Sequence, residues 1–106
     1  MDYGTSLDYI RSRVPADELL TGLAEEAAEL AQAALKYRRA RGISTNPTPV
    51  SEDEALAALV EEVADVALYL GVLRLIKSVT GLDELLAKHI DLKTERWAMR
   101  LGGMQP

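Results

Sequence analysis

The 106-residue sequence has no cysteine and no phenylalanine, one tryptophan, one histidine and four prolines. The missing cysteines exclude disulfides and thiolate metal sites. With no phenylalanine, the core must be built mainly from Leu, Val and Ala, which favours closely packed helices. No apolar run reaches roughly 18 residues, so no membrane span is expected. There is no basic-then-apolar leader pattern either, and cytoplasmic residence is the expectation. Positive charge is also in short supply. The net charge of −5 argues against a broad nucleic-acid-binding face. It leaves room for a phosphorylated small molecule, because a bound cation reverses the local field. What remains is 48% hydrophobic and 27% charged, the composition of a soluble globular protein, and the length fits one domain spanning 1–106.

The periodicity predicts helices throughout and no alternating strand. Residues 5–13 form a short N-terminal helix or turn. Pro15 suits a first helical position, and helix runs from Ala16 to about Ala40 with Leu19, Leu23, Leu30, Ala34 and Tyr37 at helical spacing. Arg38, Arg39 and Arg41 complement the dipole at its end, and Gly42 stops it. Residues 42–50 are the clearest loop, marked by Pro47 and Pro49. Ser51 and Glu54 fit a capping box. A second long helix is expected from about Glu52 to Ser78, with Leu56, Leu59, Val63, Val66, Leu70 and Leu73 as its apolar stripe and Gly81 beyond its end. A third should span Asp83 to about Leu101. The expected fold is an all-α helical bundle: a short N-terminal helix plus three longer ones. Apolar positions outside the main stripe (Val60, Ala67, Val72, Leu75) suit a subunit interface, so a homo-oligomeric four-helix-type core is expected.

The two long helices share an acidic signature. Glu25-Glu26-Ala27-Ala28-Glu29 and Glu61-Glu62-Val63-Ala64-Asp65 superpose after a shift of 36 positions, which also aligns Leu23 with Leu59. At about 100° per residue, Glu26 and Glu62 fall about 60° from Leu23 and Leu59, and Glu29 and Asp65 about 120° from them, on the same side. These four carboxylates therefore flank the buried stripe and can converge along one edge of the helix pair, whereas Glu25 and Glu61 face outward. Converging carboxylates raise one another's pKa, and a divalent cation relieves the repulsion. A single E-E-x-x-E is usually a solvated face; two copies in register on consecutive helices point to a metal site. An all-oxygen donor set favours Mg²⁺, with Mn²⁺ as the alternative, over Zn²⁺.

An E-E-x-x-E helix followed by an E-x-x-D helix resembles the all-α nucleoside triphosphate pyrophosphatase superfamily, in its MazG-like branch. Glu25, Glu26 and Glu29 match the first motif, and Glu62 and Asp65 the second. The resemblance extends from about Leu19 to Trp97, with Asp91, Lys93 and Arg96 on the last helix in places where the family often carries an Asn or Asp, a Lys and an Arg. The interval between Glu29 and Glu62 is longer than in compact members, by about the length of the Pro-containing loop. The resemblance implies Mg²⁺-dependent hydrolysis of a nucleoside triphosphate to the monophosphate and pyrophosphate, in a homodimer or homotetramer. Glu26, Glu29, Glu62 and Asp65 would hold the metal, and Glu25 or Glu61 would orient the attacking water. Lys93 and Arg96 would clamp phosphate oxygens.

Tyr69, one turn beyond Asp65, is a candidate for substrate contact or for packing. Trp97 reads as core or interface before base stacking, and His89 as structural. Gly22 and Gly71 inside helices imply close approach by some neighbour. The alternative function is a noncatalytic helical protein–protein interaction module with solvated acids. A four-helix carboxylate oxidase is disfavoured because no Glu-x-x-His motif is present.

Overall fold

A computed structural model of the chain describes residues 2–42, 50–76 and 84–102. It contains helices α1 (Tyr3–Arg13), α2 (Ala16–Ala40), α3 (Glu52–Val72) and α4 (Glu84–Arg100), and no strand among the described residues. The fold is all-α, as the periodicity required. No helix among the described residues is long and apolar enough to cross a membrane.

Local chemistry sets most helix ends. Asp2 caps α1 by accepting from the Thr5 N–H at 2.7 Å. Ser51 caps α3 by accepting from the Glu54 N–H at 3.1 Å, the contact its sequence signature called for. Pro15 is the N-cap of α2, one position earlier than expected, with extended backbone at ψ 150°. Gly42 follows α2 at φ 76°, the left-handed conformation that glycine adopts without a β-carbon clash.

The end of α3 departs from expectation. It stops at Val72, well short of Ser78, which together with Gly81 lies outside the described residues. The terminator is a Schellman motif: Leu75 N–H donates to Leu70 C=O at 2.8 Å and Arg74 N–H to Gly71 C=O at 3.0 Å. The residue in the left-handed position is Arg74 at φ 63°, where glycine is usual. An arginine there leaves no sequence signal for a stop.

Helix α2 and helix α3 form the main packing unit and run antiparallel. Arg41 at the end of α2 meets Glu52 at the start of α3 at 3.8 Å, and at the far end Gly22 lies under Tyr69. A β-carbon on Gly22 would overlap the Tyr69 phenol, which identifies the close approach implied by that glycine. The neighbour of Gly71 is the Tyr3 hydroxyl. Helix α1 buries Leu7 against Val72 and Leu19, with Ile10, Val14, Tyr69 and Leu73 around them. Arg11 donates to Val72 C=O at 3.1 Å while pairing with Asp8 at 2.6 Å, so a cation meets the carbonyl end of α3.

The apolar stripes are turned only in part from their expected positions. Leu19, Leu23, Leu30 and Tyr37 on α2 and Leu59, Val66, Leu70 and Leu73 on α3 are withdrawn as expected, joined by Gly22, Glu26 and Ala33 on α2 and by Ala55, Glu62 and Tyr69 on α3. Leu56 and Val63, expected inside, are 41% and 51% exposed, and Ala34 is exposed as well. The small residues Gly22 and Ala55 let the helices approach on this face, which leaves the bulkier one turned outward.

Helix α4 does not pack along the α2/α3 pair. Only its first turns approach, where Leu85, Leu86 and His89 face Leu70, Arg74 and Leu75 across a cavity of about 330 Å³. Trp97, expected in a core or an interface, is 64% exposed and outside the core of this chain.

Candidate metal centre

Three of the four expected carboxylates converge along one edge of the α2/α3 pair, and the partial turn of the stripes draws Glu26 and Glu62 into the seam. Glu26 sits one turn after Gly22, and Glu62 two turns after Ala55, each in the withdrawn series of its helix. Asp65 follows Glu62 at i+3, on the open edge. Each of Glu26, Glu62 and Asp65 offers an oxygen, and these atoms all lie within 4.8 Å of one another. Glu26 and Glu62 are half-buried and Asp65 is exposed, so the group is closed from below and open to solvent on one side.

Glu29 stands beside this triad and not among its mutually close oxygens. It is near enough to act on both partners. Desolvation, then hydrogen bonding and charge from Glu29, then the charges of Asp65 and Glu62, push the Glu26 carboxyl up to about 7. Desolvation, then the charges of Glu29 and Asp65, raise Glu62 as well. The cause in both cases is a set of like charges in a seam that excludes water.

Glu26 Oε2 and Glu62 Oε2 are buried with no hydrogen-bond partner. An ionised carboxylate only accepts, so two facing carboxylates cannot satisfy each other. Either a proton shared between them or a cation must fill the gap. Orphaned buried oxygens of this kind test whether a metal fits, and here it does: the donors are hard, anionic and convergent, as a small divalent cation requires.

The other sequence candidates are dispersed. Glu25 and Glu61 are exposed and lie outside the triad. Glu25 borders a shallow cavity of about 320 Å³ that it shares with Gly22 and Tyr69. Tyr69 packs its ring over Gly22 and against the α1 core, which makes it a wall between helices. Lys93 and Arg96 are exposed on α4, which leaves the pair, and within one chain they line no cavity with the carboxylates among the described residues.

Sequence inspection missed Lys36 and Arg39. With Glu29, Gln32, Ala33, Ala55, Ala58 and Glu62 they line a cleft of about 700 Å³ that begins at the carboxylates and follows the α2/α3 seam. From sequence Arg39 reads first as dipole complement and only second as a triphosphate contact from a neighbouring subunit, and Lys36 carries no reading of its own. Their helical spacing from Glu29 was the available signal, since positions three, seven and ten residues on share one face.

Comparison of the chain with family models, with curated proteins and with solved structures finds no match.

Proposed function

We propose that this protein is a Mg²⁺-dependent nucleoside triphosphate pyrophosphohydrolase that releases a nucleoside monophosphate and pyrophosphate. The observation that carries this is the convergence of Glu26, Glu62 and Asp65 within 4.8 Å, with two buried oxygens lacking partners. In this reading Glu26, Glu62 and Asp65 hold the metal, and Glu29 completes the set from the cleft side. Mn²⁺ fits the same donors. When bound, the metal supplies charge neutralisation for the phosphoanhydride chain. The protein's own part is to fix the donors on two rigid helices, so little reorganises when the anion arrives. Glu25 or Glu61, in solvent beside the ligands, would orient the attacking water from outside. The resemblance of the two motifs to MazG-like proteins supports this chemistry.

A homo-oligomer belongs to the same proposal. Leu56, Val60 and Val63 on α3 are exposed at helical spacing and give that helix an uncovered apolar face. The chain exposes 8017 Å², against about 5,800 Å² for a compact protein of 11.6 kDa. Its radius of gyration is 17.2 Å, against about 13 Å for its length. The excess surface is of the size that obligate subunits bury. A second two-helix layer placed on this face completes a four-helix core.

The exposed apolar face also suits a noncatalytic module that receives partner helices. One assay separates the two readings. Purified protein is incubated with Mg²⁺ and each common ribo- and deoxyribonucleoside triphosphate, and pyrophosphate is measured. Turnover that Asp65→Asn abolishes with helicity intact supports the enzyme. No pyrophosphate from any substrate, or full activity in Asp65→Asn, overturns it.

A further inference from the structure

The cleft along the α2/α3 seam changes sign along its length. Glu29 and Glu62 stand at one end; Lys36 and Arg39 stand at the other. Helix α2 carries three of these four groups, and its geometry aims them at a common space. From Glu29 to Lys36 the helix rises only about 10 Å, and to Arg39 about 15 Å. Side chains on a helix lean toward its N-terminus, so Lys36 and Arg39 incline back toward the carboxylates, over the cleft rather than away from it.

Arg39 is half-buried and has no ion pair among the described residues, where the pairs are Arg11–Asp8 and Arg41–Glu52. A guanidinium withdrawn from water without a carboxylate opposite it is a seat for an anion. The volume of about 700 Å³ lies in the range of small-molecule sites. Alanines line its floor, and no aromatic ring borders it. It therefore offers nothing to the face of a nucleobase and a great deal to a phosphate.

A free anion would be repelled by the carboxylate end, and a free cation by the basic end. A polyphosphate carrying a divalent cation is complementary to both. We propose that the cleft is a polyphosphate seat, in which Lys36 and Arg39 hold the phosphate group lying beyond the metal's own coordination shell, with the Gln32 amide as a further donor. This rests on the carboxylates holding a cation, and it assigns the direction of the bound chain: phosphates run along α2 toward its C-terminus, and the rest of the nucleotide leaves from the opposite side of the triad.

Isothermal titration with inorganic tripolyphosphate and Mg²⁺ tests this, with Mn²⁺ binding followed separately by electron paramagnetic resonance. The variants are Lys36→Gln/Arg39→Gln, the charge-retaining Lys36→Arg/Arg39→Lys, and Arg38→Gln as a control on the exposed side of α2. The double glutamine variant should weaken tripolyphosphate binding by about tenfold to hundredfold, as expected for lost charge-assisted hydrogen bonds. Its Mn²⁺ affinity should be unchanged or slightly higher, the charge-retaining variant should lose less than the double glutamine variant, and the control should bind as wild type. Equal tripolyphosphate affinity in wild type and the double glutamine variant overturns the seat. Absence of Mn²⁺ binding in the wild type overturns the carboxylate reading instead. Metal-independent tripolyphosphate binding that the double glutamine variant loses would keep the seat while removing the metal beneath it.

Discussion

Cation affinity should depend on pH through two interacting carboxyls, Glu26 and Glu62, of which Glu26 is pushed up to about 7. Glu26 titrates at about 7 because the seam desolvates it and Glu29, Asp65 and Glu62 repel its ionised form. A cation must displace that proton to bind. With the titration near 7, the carboxyl is about nine-tenths ionised at pH 8 and about one-tenth ionised at pH 6, so affinity should fall roughly tenfold between them. Close to one proton should be released per ion at pH 6 and close to none at pH 8. Titration of Mn²⁺ in two buffers of different ionisation enthalpy measures both quantities. In Glu26→Gln, binding should be weaker and this pH step should shrink, since Glu62 remains raised. Stability follows with a definite sign. The folded value lies above the 4.5 of a glutamate free in water, so folding favours the neutral carboxyl. That contribution is fully present below about 4.5 and is lost as pH rises through about 7. The metal-free protein should therefore melt lower at pH 8 than at pH 5, and saturating Mg²⁺ should raise the pH 8 midpoint selectively. Identical affinity at pH 6 and pH 8, with no proton release at either, would refute the placement of Glu26 in a closed seam of like charge.

Four further outcomes are expected. Gly22→Ala should destabilise by about 1 kcal/mol net, because displacing the wedged Tyr69 ring outweighs the gain in helix propensity. Gly71→Ala should be near neutral, since only the mobile end of the exposed Tyr3 must move; thermal melts that rank the two the other way would refute this. Arg74→Gly should stabilise by about 0.5–1 kcal/mol by relieving the positive φ of 63° at the end of α3, raising the melting midpoint by a few degrees. Val60→Glu, on the exposed apolar face, should leave helicity intact and convert the oligomer to monomer in sedimentation velocity; a wild type that is already monomeric at micromolar concentration would remove the subunit proposal.

Most of the helices were legible in the sequence because their signals are local. Ser51 with Glu54, Gly42 and the unbroken run from Ala16 to Ala40 each act within one or two turns. The stop after Val72 was not legible, because a Schellman turn built on arginine has the right hydrogen bonds and the wrong residue. The acidic motifs and the edge where they meet were legible, but how far Glu26 and Glu62 withdraw into the seam was not. A helical wheel centred on Leu23 and Leu59 assumes that the largest apolar residues face inward, and in α3 Leu56 and Val63 do not. Lys36 and Arg39 became visible only once α3 formed the other wall of the cleft, which no pattern confined to α2 reveals.

That rotation ties the two proposals together. Turning α2 and α3 by about 60° would bury Leu56 and Val63 and release Glu26 and Glu62 to solvent. For a monomer this would be favourable on both counts: full burial of each apolar side chain stabilises by about 1.5–3 kcal/mol, and the carboxylates would regain water. The observed packing forgoes both. It becomes the better arrangement once two further conditions hold: another apolar layer covers Leu56, Val60 and Val63, and a cation occupies the space between Glu26, Glu62 and Asp65. Neither suffices alone, since a covered face still leaves repelling carboxylates in the seam, and a bound cation still leaves the leucines in water. An oligomer that holds divalent cations in its helix pairs satisfies both, and it explains why a chain rich in leucine keeps glutamate at the centre of its principal interface.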